Sequence, residues 1–356
     1  MKLLALLTDG FGASGGIARY NCDLMTALSE SAVISQVVAL PRSGDASITP
    51  SARIVQMKPK PGRVRWSAKA LDLVLQRRFD VILCGHLYAA PLAAALSAMT
   101  GARLWLQVHG IEAWTPRGSI VRQSVERASL ITSVSRFTRR RLLGWCGLAR
   151  ERVRVLPNTA GHAFEPRSPR KDLIDRYRLA GKKVILTVGR LASGERYKGH
   201  DRVIRAMSTI LRAHPTATYL IVGSGDDQPR LETLVRETGP TERVIFAGQV
   251  ASNELPDYFA LADVYAMPST GEGFGIVFLE AAACSLPVIG GNRDGSLDAL
   301  ADGALGRAID PDDSEALAGA IIAALSGRVL SNPAAAARFA FSNFSAHVDD
   351  LIRQLH

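Results

Sequence analysis

The 356-residue chain is predicted to be an α/β protein of two parallel sheets, each covered by helices on both faces. Three observations carry this. The length exceeds what one compact core usually holds, so two domains of about 150 to 200 residues follow. Short apolar runs alternate with amphipathic stretches in both halves, the pattern of parallel strands joined by crossover helices. The alternation is interrupted between Thr159 and Pro169 by Gly, Pro, Ser and His, a linker composition.

In the first half the expected strands are KLLALLT, VISQVVAL, DVILCG, ARLWLQVHG, SLITSVS and RVRVLPN. Amphipathic stretches at Ile17 to Ser29, Trp66 to Arg77 and Ile120 to Ala128 lie between them. The second series is KKVILTVGR, ATYLIVGSG, RVIFAGQ, DVYAMPS and LPVIGG, each followed by a helical pattern. The expected domains are therefore residues 1–160 and 161–339, and the tail from Asn332 to His356 reads as mostly helical, its last helix (about 340–356) returning to the first domain. Two such units imply a cleft between them, with ligands outside the carboxyl ends of the strands.

Composition narrows the classes. An apolar fraction of 47% describes a water-soluble globular chain. The opening MKLLALLTDG reads as a first buried strand and not a signal peptide, because Asp9 and several glycines stand where a cleavage site needs small neutral residues. Ala89 to Met99 is too short to span a bilayer and contains Pro91. A cytoplasmic location is expected, at most peripheral at the inner face of a membrane. Cys22, Cys84, Cys146 and Cys284 are scattered without zinc spacing, as buried reduced thiols would be.

The net charge of +10 is uneven: residues 1–160 carry +13 and residues 161–356 carry −3. A one-sided field suggests an anionic partner for the first half, the alternative being a well-solvated surface. Arg117, Arg122, Arg127, Arg136, Arg139, Arg140 and Arg141 concentrate there, suited to a lipid diphosphate or an anionic membrane surface. Nucleic acid is not expected, since no motif with interleaved aromatics accompanies the charge.

Gly10 to Gly16 matches GxGxxG letter for letter, but a dinucleotide fingerprint also needs an acid closing the second strand. That strand runs into Pro41-Arg42-Ser43; only Arg42, facing a 2′-phosphate, would support the dinucleotide reading. The preferred reading is a glycine loop whose Gly15 and Gly16 admit a substrate close to backbone before a helix starting at Ile17. Arg190 closes one strand and Lys198 opens the next helix, so both can reach one anion, such as a leaving diphosphate. Glu272 and Glu280 flank a further helix start, expected near Gly273. Eight residues from there give about 12 Å of rise, so the two carboxylates bracket an extended ligand whose diphosphate lies on the amides of Phe274, Gly275 and Ile276. Glu272 then meets hydroxyls on one side and Glu280 on the other, the layout of a nucleotide sugar. Apolar Val277, Phe278 and Ala281 predict that Glu280 is partly buried and partnered. Asp310-Pro311-Asp312-Asp313 superficially offers a DxD metal site, but Asp312 or Asp313 reads better as a helix N-cap.

With these segments in hand the chain resembles the family 4 retaining glycosyltransferases of the GT-B fold, two Rossmann-like domains facing each other across a deep cleft. The resemblance rests on GGIARY, VHG at 108 to 110, VGRL, YKGHD, VGSGDD and the glutamate pair with ACSLPVI, in order over nearly the whole chain. It implies that Glu272 holds the donor sugar, Glu280 the ribose, and Arg190 and Lys198 the diphosphate. It places Gly15 and Gly16 at the donor and acceptor edge, and His109 near the transferred sugar. Gly223 joins the substrate-binding positions, and Gly248, Gln249 and Val250 lie near the base. Cys284-Ser285 departs from the family's frequent Cys-Gly or Met-Gly, leaving the packing of that turn open.

The implied reaction moves a hexose from a donor of GDP-mannose or UDP-glucose type to a glycan or lipid-linked hydroxyl, with retention, as in cell-surface polysaccharide or glycolipid synthesis. The donor is a substrate; no cofactor and no metal are expected, because Arg190, Lys198 and helix amides neutralise the leaving group. A nucleotide-sugar 2-epimerase, a nicotinamide oxidoreductase and a noncatalytic nucleotide-sugar sensor are the competing readings.

Overall fold

The computed structural model describes residues 1–48, 51–161, 163–328 and 332–356; His162 of the expected linker lies outside them. The chain forms two compact units, Met1–Thr159 with Ala340–His356, and Ala160–Phe339.

The first unit has seven strands: β1 (Lys2–Asp9), β2 (Gln36–Ser43), β3 (Ile54–Gln56), β4 (Val81–Cys84), β5 (Arg103–Val108), β6 (Leu130–Ser133) and β7 (Val153–Val155). They pair in parallel in the order β3-β2-β1-β4-β5-β6-β7. Leu3 to Leu7 of β1 and all of β4 are buried, as strands covered on both faces require. The sequence pattern finds six of the seven. It misses β3, whose three residues Ile-Val-Gln sit in polar surroundings and carry no readable period. VISQVVAL is shifted, because Val33 to Ser35 turn back and hydrogen-bond to Met1 before pairing begins at Gln36.

The helix Gly16–Glu30 packs beneath the sheet and is itself covered by the helix Phe341–Arg353. Ser31 donates to Asp349 at 2.5 Å, Ser345 to Glu30 at 2.9 Å, and the Tyr20 and Phe344 rings meet edge-on at 5.8 Å.

The second unit has β8 (Lys183–Val188), β9 (Ala217–Val222), β10 (Val244–Gly248), β11 (Val264–Met267), β12 (Val288–Gly291) and β13 (Arg307–Ile309), parallel in the order β10-β9-β8-β11-β12-β13. The three-residue β13 was also invisible to patterning. The core of this unit is apolar, with Ile185, Tyr219, Ile221, Val264 and Ile289 of the sheet against Val203, Met207, Leu317 and Ile321 of the helices.

Asp310 and Asp312 are engaged by arginines. Asp310 pairs with Arg293 at 2.6 Å, and Asp312 with Arg293 and with Arg202, the latter at 2.9 Å. Asp313 caps the helix Ser314–Leu325, accepting from the Ala316 amide at 2.8 Å. Among the described residues no helix is long and apolar enough to cross a membrane.

Candidate active site

In both sheets strand order reverses beside the first strand of the unit, at β1/β4 and at β8/β11. The loops leaving two such strands diverge to opposite faces and open a crevice at the strands' carboxyl ends.

In the second unit that crevice gathers Arg190, Lys198 and Glu272. Arg190 and Lys198 come from the connection after β8, and Glu272 from the loop after β11. Lys198 Nζ donates to Glu272 Oε1 at 2.5 Å, and its ammonium lies 5.4 Å from the Tyr197 ring centroid. Thr270 N donates to Tyr197 O at 2.9 Å, fastening the two loops together. Arg190 forms an ion pair with Glu195, whose second oxygen is 3.8 Å from Lys198 Nζ. Burial pulls the Lys198 pKa down, but Glu272, Tyr197 and Glu195 together outweigh it, and the ammonium is held above its usual value. His200, one position into the following helix, is pushed down to about 4, first by burial and then by Lys198.

The helix carrying Glu280 begins at Ile276, three residues later than expected. Gly275 sits at φ 88° as its N-cap, a left-handed conformation that stops the helix from extending back to Gly273. Between the two glutamates only Ile276 to Glu280 is therefore helical, about 6 Å of rise instead of 12. Glu272 lies in the loop and Glu280 on the second turn, buried to 7% exposure. The helix has no side-chain cap; Phe278 N donates to Gly275 O at 3.1 Å, and the amides of Ile276 and Val277 precede it at the helix start, where an anion is favoured. Phe274 is buried edge-on to Phe339 at 5.9 Å.

Gly223 serves backbone approach here: a Cβ would stand 1.9 Å from Gly189 O. Gly223 N donates to Gly248 O at 2.9 Å, joining the ends of β9 and β10. Gln249 is exposed and Val250 half-buried just beyond. Ser285 occupies φ 61°, so the departure from glycine at that turn places a side chain where it costs about 1 kcal/mol.

The supporting residues were not anticipated from the sequence. Asp226 accepts from Ser193 N and Oγ at 2.8 and 2.6 Å, and buried Asp227 pairs with Arg196 and Arg230. Both aspartates belong to VGSGDD, and their adjacency to a strand end was the available signal. Asp294 has no such signal, yet it fixes the Glu272 loop. Its carboxylate accepts from Glu272 N at 2.7 Å, Ser269 Oγ at 2.8 Å and Ser296 N at 2.9 Å. Burial raises its pKa against these three bonds.

Asp294→Asn is therefore expected to destabilise the chain by about 1–3 kcal/mol, because an amide cannot accept from Glu272 N and Ser296 N with both of its ends. Thermal melting at neutral pH checks it. Burial raises the Asp294 pKa, so the wild type loses stability as pH climbs through the acid range while the amide does not titrate, and the variant's penalty is expected to be largest at low pH and smaller at neutral pH.

In the first unit the helix Gly16–Glu30 starts from exposed Gly15 and Gly16, again without a side-chain cap. His109, after β5, has Nε2 2.9 Å from Gly85 O after β4. A carbonyl can only accept, so Nε2 carries the proton and Nδ1 is the free acceptor. Its ring is edge-on to Tyr20 at 5.1 Å, and its own amide donates to Glu112 at 2.5 Å. Burial lowers the His109 pKa, Glu112 opposing, so the ring is neutral at physiological pH. Behind it Tyr20 donates to Gln107 at 2.8 Å and Trp105 to Thr132 at 2.7 Å in a buried chain of hydrogen bonds. Arg42 is committed to Tyr88 Oη and Pro61 O, which removes the one feature that favoured a 2′-phosphate. Arg117, Arg122, Arg127, Arg136, Arg140 and Arg141 are exposed.

Residues 170–340 match the family described as Glycosyl transferases group 1, and residues 14–160 match Glycosyltransferase Family 4. The GDP-mannose-dependent alpha-(1-6)-phosphatidylinositol monomannoside mannosyltransferase of Mycobacterium tuberculosis is 30% identical over 346 residues, covering 90% of this chain and 88% of that one. The enzyme of the same name from Mycolicibacterium smegmatis is 34% identical over 267 residues, 70% of this chain and 67% of that one. Among solved structures, Anabaena HepE in complex with UDP superposes with a TM-score of 0.75 at 20% identity, over 99% of this chain and 100% of that one. Two parallel α/β units with this strand order, and these likenesses along both, make the fold GT-B and the chain a member of the family 4, group 1 glycosyltransferases.

Proposed function

We propose that the protein transfers a hexose, with retention, from a nucleoside diphosphate hexose to a hydroxyl of a lipid-linked or glycan acceptor. The observation that carries this is the convergence of Arg190, Lys198 and Glu272 at the β8/β11 crevice, with an uncapped helix start in the same loop as Glu272. Two cations and free amides suit a diphosphate, and a carboxylate beside them suits sugar hydroxyls. Of the two donor types, GDP-mannose is favoured by the relatives at 30% and 34% identity. Their acceptor is a phosphatidylinositol mannoside, which accords with the exposed arginines of the first unit and with a peripheral place on an anionic membrane.

In the reaction the anomeric carbon loses its bond to the β-phosphate oxygen and gains one to the acceptor oxygen on the same face. The acceptor proton passes to the leaving phosphate, while Arg190, Lys198 and the amides take up the charge that develops there. Neither glutamate acts as nucleophile: Glu272 is engaged with Lys198 and Glu280 is buried on the helix.

The test is a binding and turnover panel with the full chain. GDP and GDP-mannose should raise the melting temperature, and mannose transfer to phosphatidylinositol mannosides in anionic liposomes should release GDP and give the α-anomer by NMR. Stabilisation by UDP and UDP-glucose alone would reassign the donor. An epimerised sugar formed without acceptor would replace transfer by isomerisation.

A further inference from the structure

Glu195 is a carboxylate that the proposed reaction does not use. It lies between the two cations that the reaction needs, pairing with Arg190 through one oxygen and lying 3.8 Å from Lys198 through the other. That second oxygen is buried and accepts no hydrogen bond. A buried acceptor left unmatched is costly and calls for an explanation.

The backbone around it is braced. Glu195 N donates to Ala192 O at 2.8 Å, Ser193 is held by Asp226, and Arg196 is held by Asp227. Glu195 interrupts the short helical run Ser193–Lys198 at φ −121° and ψ 24°, and its side chain meets Arg190 and Lys198. Its side chain is 15% exposed, whereas that of Arg190 is 78% exposed. The carboxylate is fixed and the guanidinium is the part free to move.

The charges at the crevice also balance. Arg190 and Lys198 are matched by Glu195 and Glu272, so before any ligand arrives the site has no surplus positive charge. An arriving diphosphate must take Arg190 from Glu195 and accept that carboxylate as a neighbour.

We propose that Glu195 is an internal counter-ion of the diphosphate site, a built-in competitor that holds Arg190 in the empty enzyme and reclaims it to expel the nucleoside diphosphate after transfer. The inference rests on the reading of Arg190 and Lys198 as diphosphate ligands. Its physical content is that the site binds product more weakly than its cations alone would allow, which favours turnover over product capture.

Calorimetric titration of the full chain with GDP and with UDP tests it, on wild type, Glu195→Gln, Glu195→Asp and Arg190→Ala. Glu195→Gln keeps the shape and removes the charge, and is expected to tighten the nucleotide Kd about tenfold, or 1.4 kcal/mol. In steady state it should show stronger inhibition by nucleoside diphosphate. Glu195→Asp keeps the charge on a shorter arm and should fall between Gln and wild type. Arg190→Ala should weaken binding about tenfold. Unchanged or weaker binding by Glu195→Gln, with Arg190→Ala weakened, overturns the counter-ion and makes Glu195 a structural brace. Unchanged binding by Arg190→Ala overturns the diphosphate reading itself, and this inference with it.

Discussion

Lys198→Ala is expected to lower kcat/KM by about two to three orders of magnitude, the loss typical of removing one preorganised donor from a developing oxyanion. The side chain is 13% exposed and lies against two carboxylates, Glu272 at 2.5 Å and Glu195 at 3.8 Å. Its removal leaves both facing a site that must accept a diphosphate, so ground-state binding and turnover fall together. Stability falls too, because Glu272 is left part-buried without its partner. Single-turnover transfer assays and thermal melting read the two effects. Glu272→Gln separates them: it removes a carboxylate from beside the leaving group yet retains a hydrogen-bonding end, and should depress kcat more than it changes nucleotide affinity. The pH dependence has a definite sign. A lysine whose folded pKa is raised contributes stability fully present below its ordinary value and lost as pH rises through the raised one, so this contribution fades only in the alkaline range.

Gly223→Ala is expected to cost about 3–5 kcal/mol, at the upper end for a single methyl. The added Cβ would meet Gly189 O at 1.9 Å and Gly189 C at 2.8 Å, and φ is 142°. These are backbone atoms at the end of β8, held by the bond from Gly189 N to Val222 O at 2.9 Å, so nothing near can move aside cheaply. With about 2–4 °C per kcal/mol for a unit of this size, the melting temperature should drop by roughly 10 °C. Gly239→Ala is the control. It shares a positive φ, 93°, but its Cβ would enter open space, so its cost should be near 1 kcal/mol.

The contrast shows what a sequence can disclose. Eleven strands are visible because parallel strands buried on both faces are unbroken apolar runs, while β3 and β13 are three residues each and hold no period. Arg190 and Lys198 stand out because they lie in the connection after one strand, and Glu272 and Glu280 because they flank a helix start. Asp294 does not: it reaches Glu272 from 22 residues away, through a loop whose path follows from the β11/β12 pairing and not from local composition. Glu195 does not stand out in the sequence either, since its unmatched oxygen appears only once the loop is folded. The late helix start at Ile276 has the same origin, since a glycine can either continue a turn or cap one, and the choice here is made by packing. Gly223 was singled out as a ligand contact, and the crowding at its Cα reveals a second demand on the same residue.

The helix Phe341–Arg353 bears on the order in which the protein can assemble. It belongs to the first unit, yet the ribosome makes it after the whole of the second. Ala160–Phe339 is one uninterrupted stretch and can fold as soon as it emerges. Met1–Thr159 must wait, with the outer face of Gly16–Glu30 uncovered, until Val348, Leu351 and Ile352 are synthesised. During translation the unit begun first is finished last, and its exposed helix is the surface for a chaperone to guard in the interval.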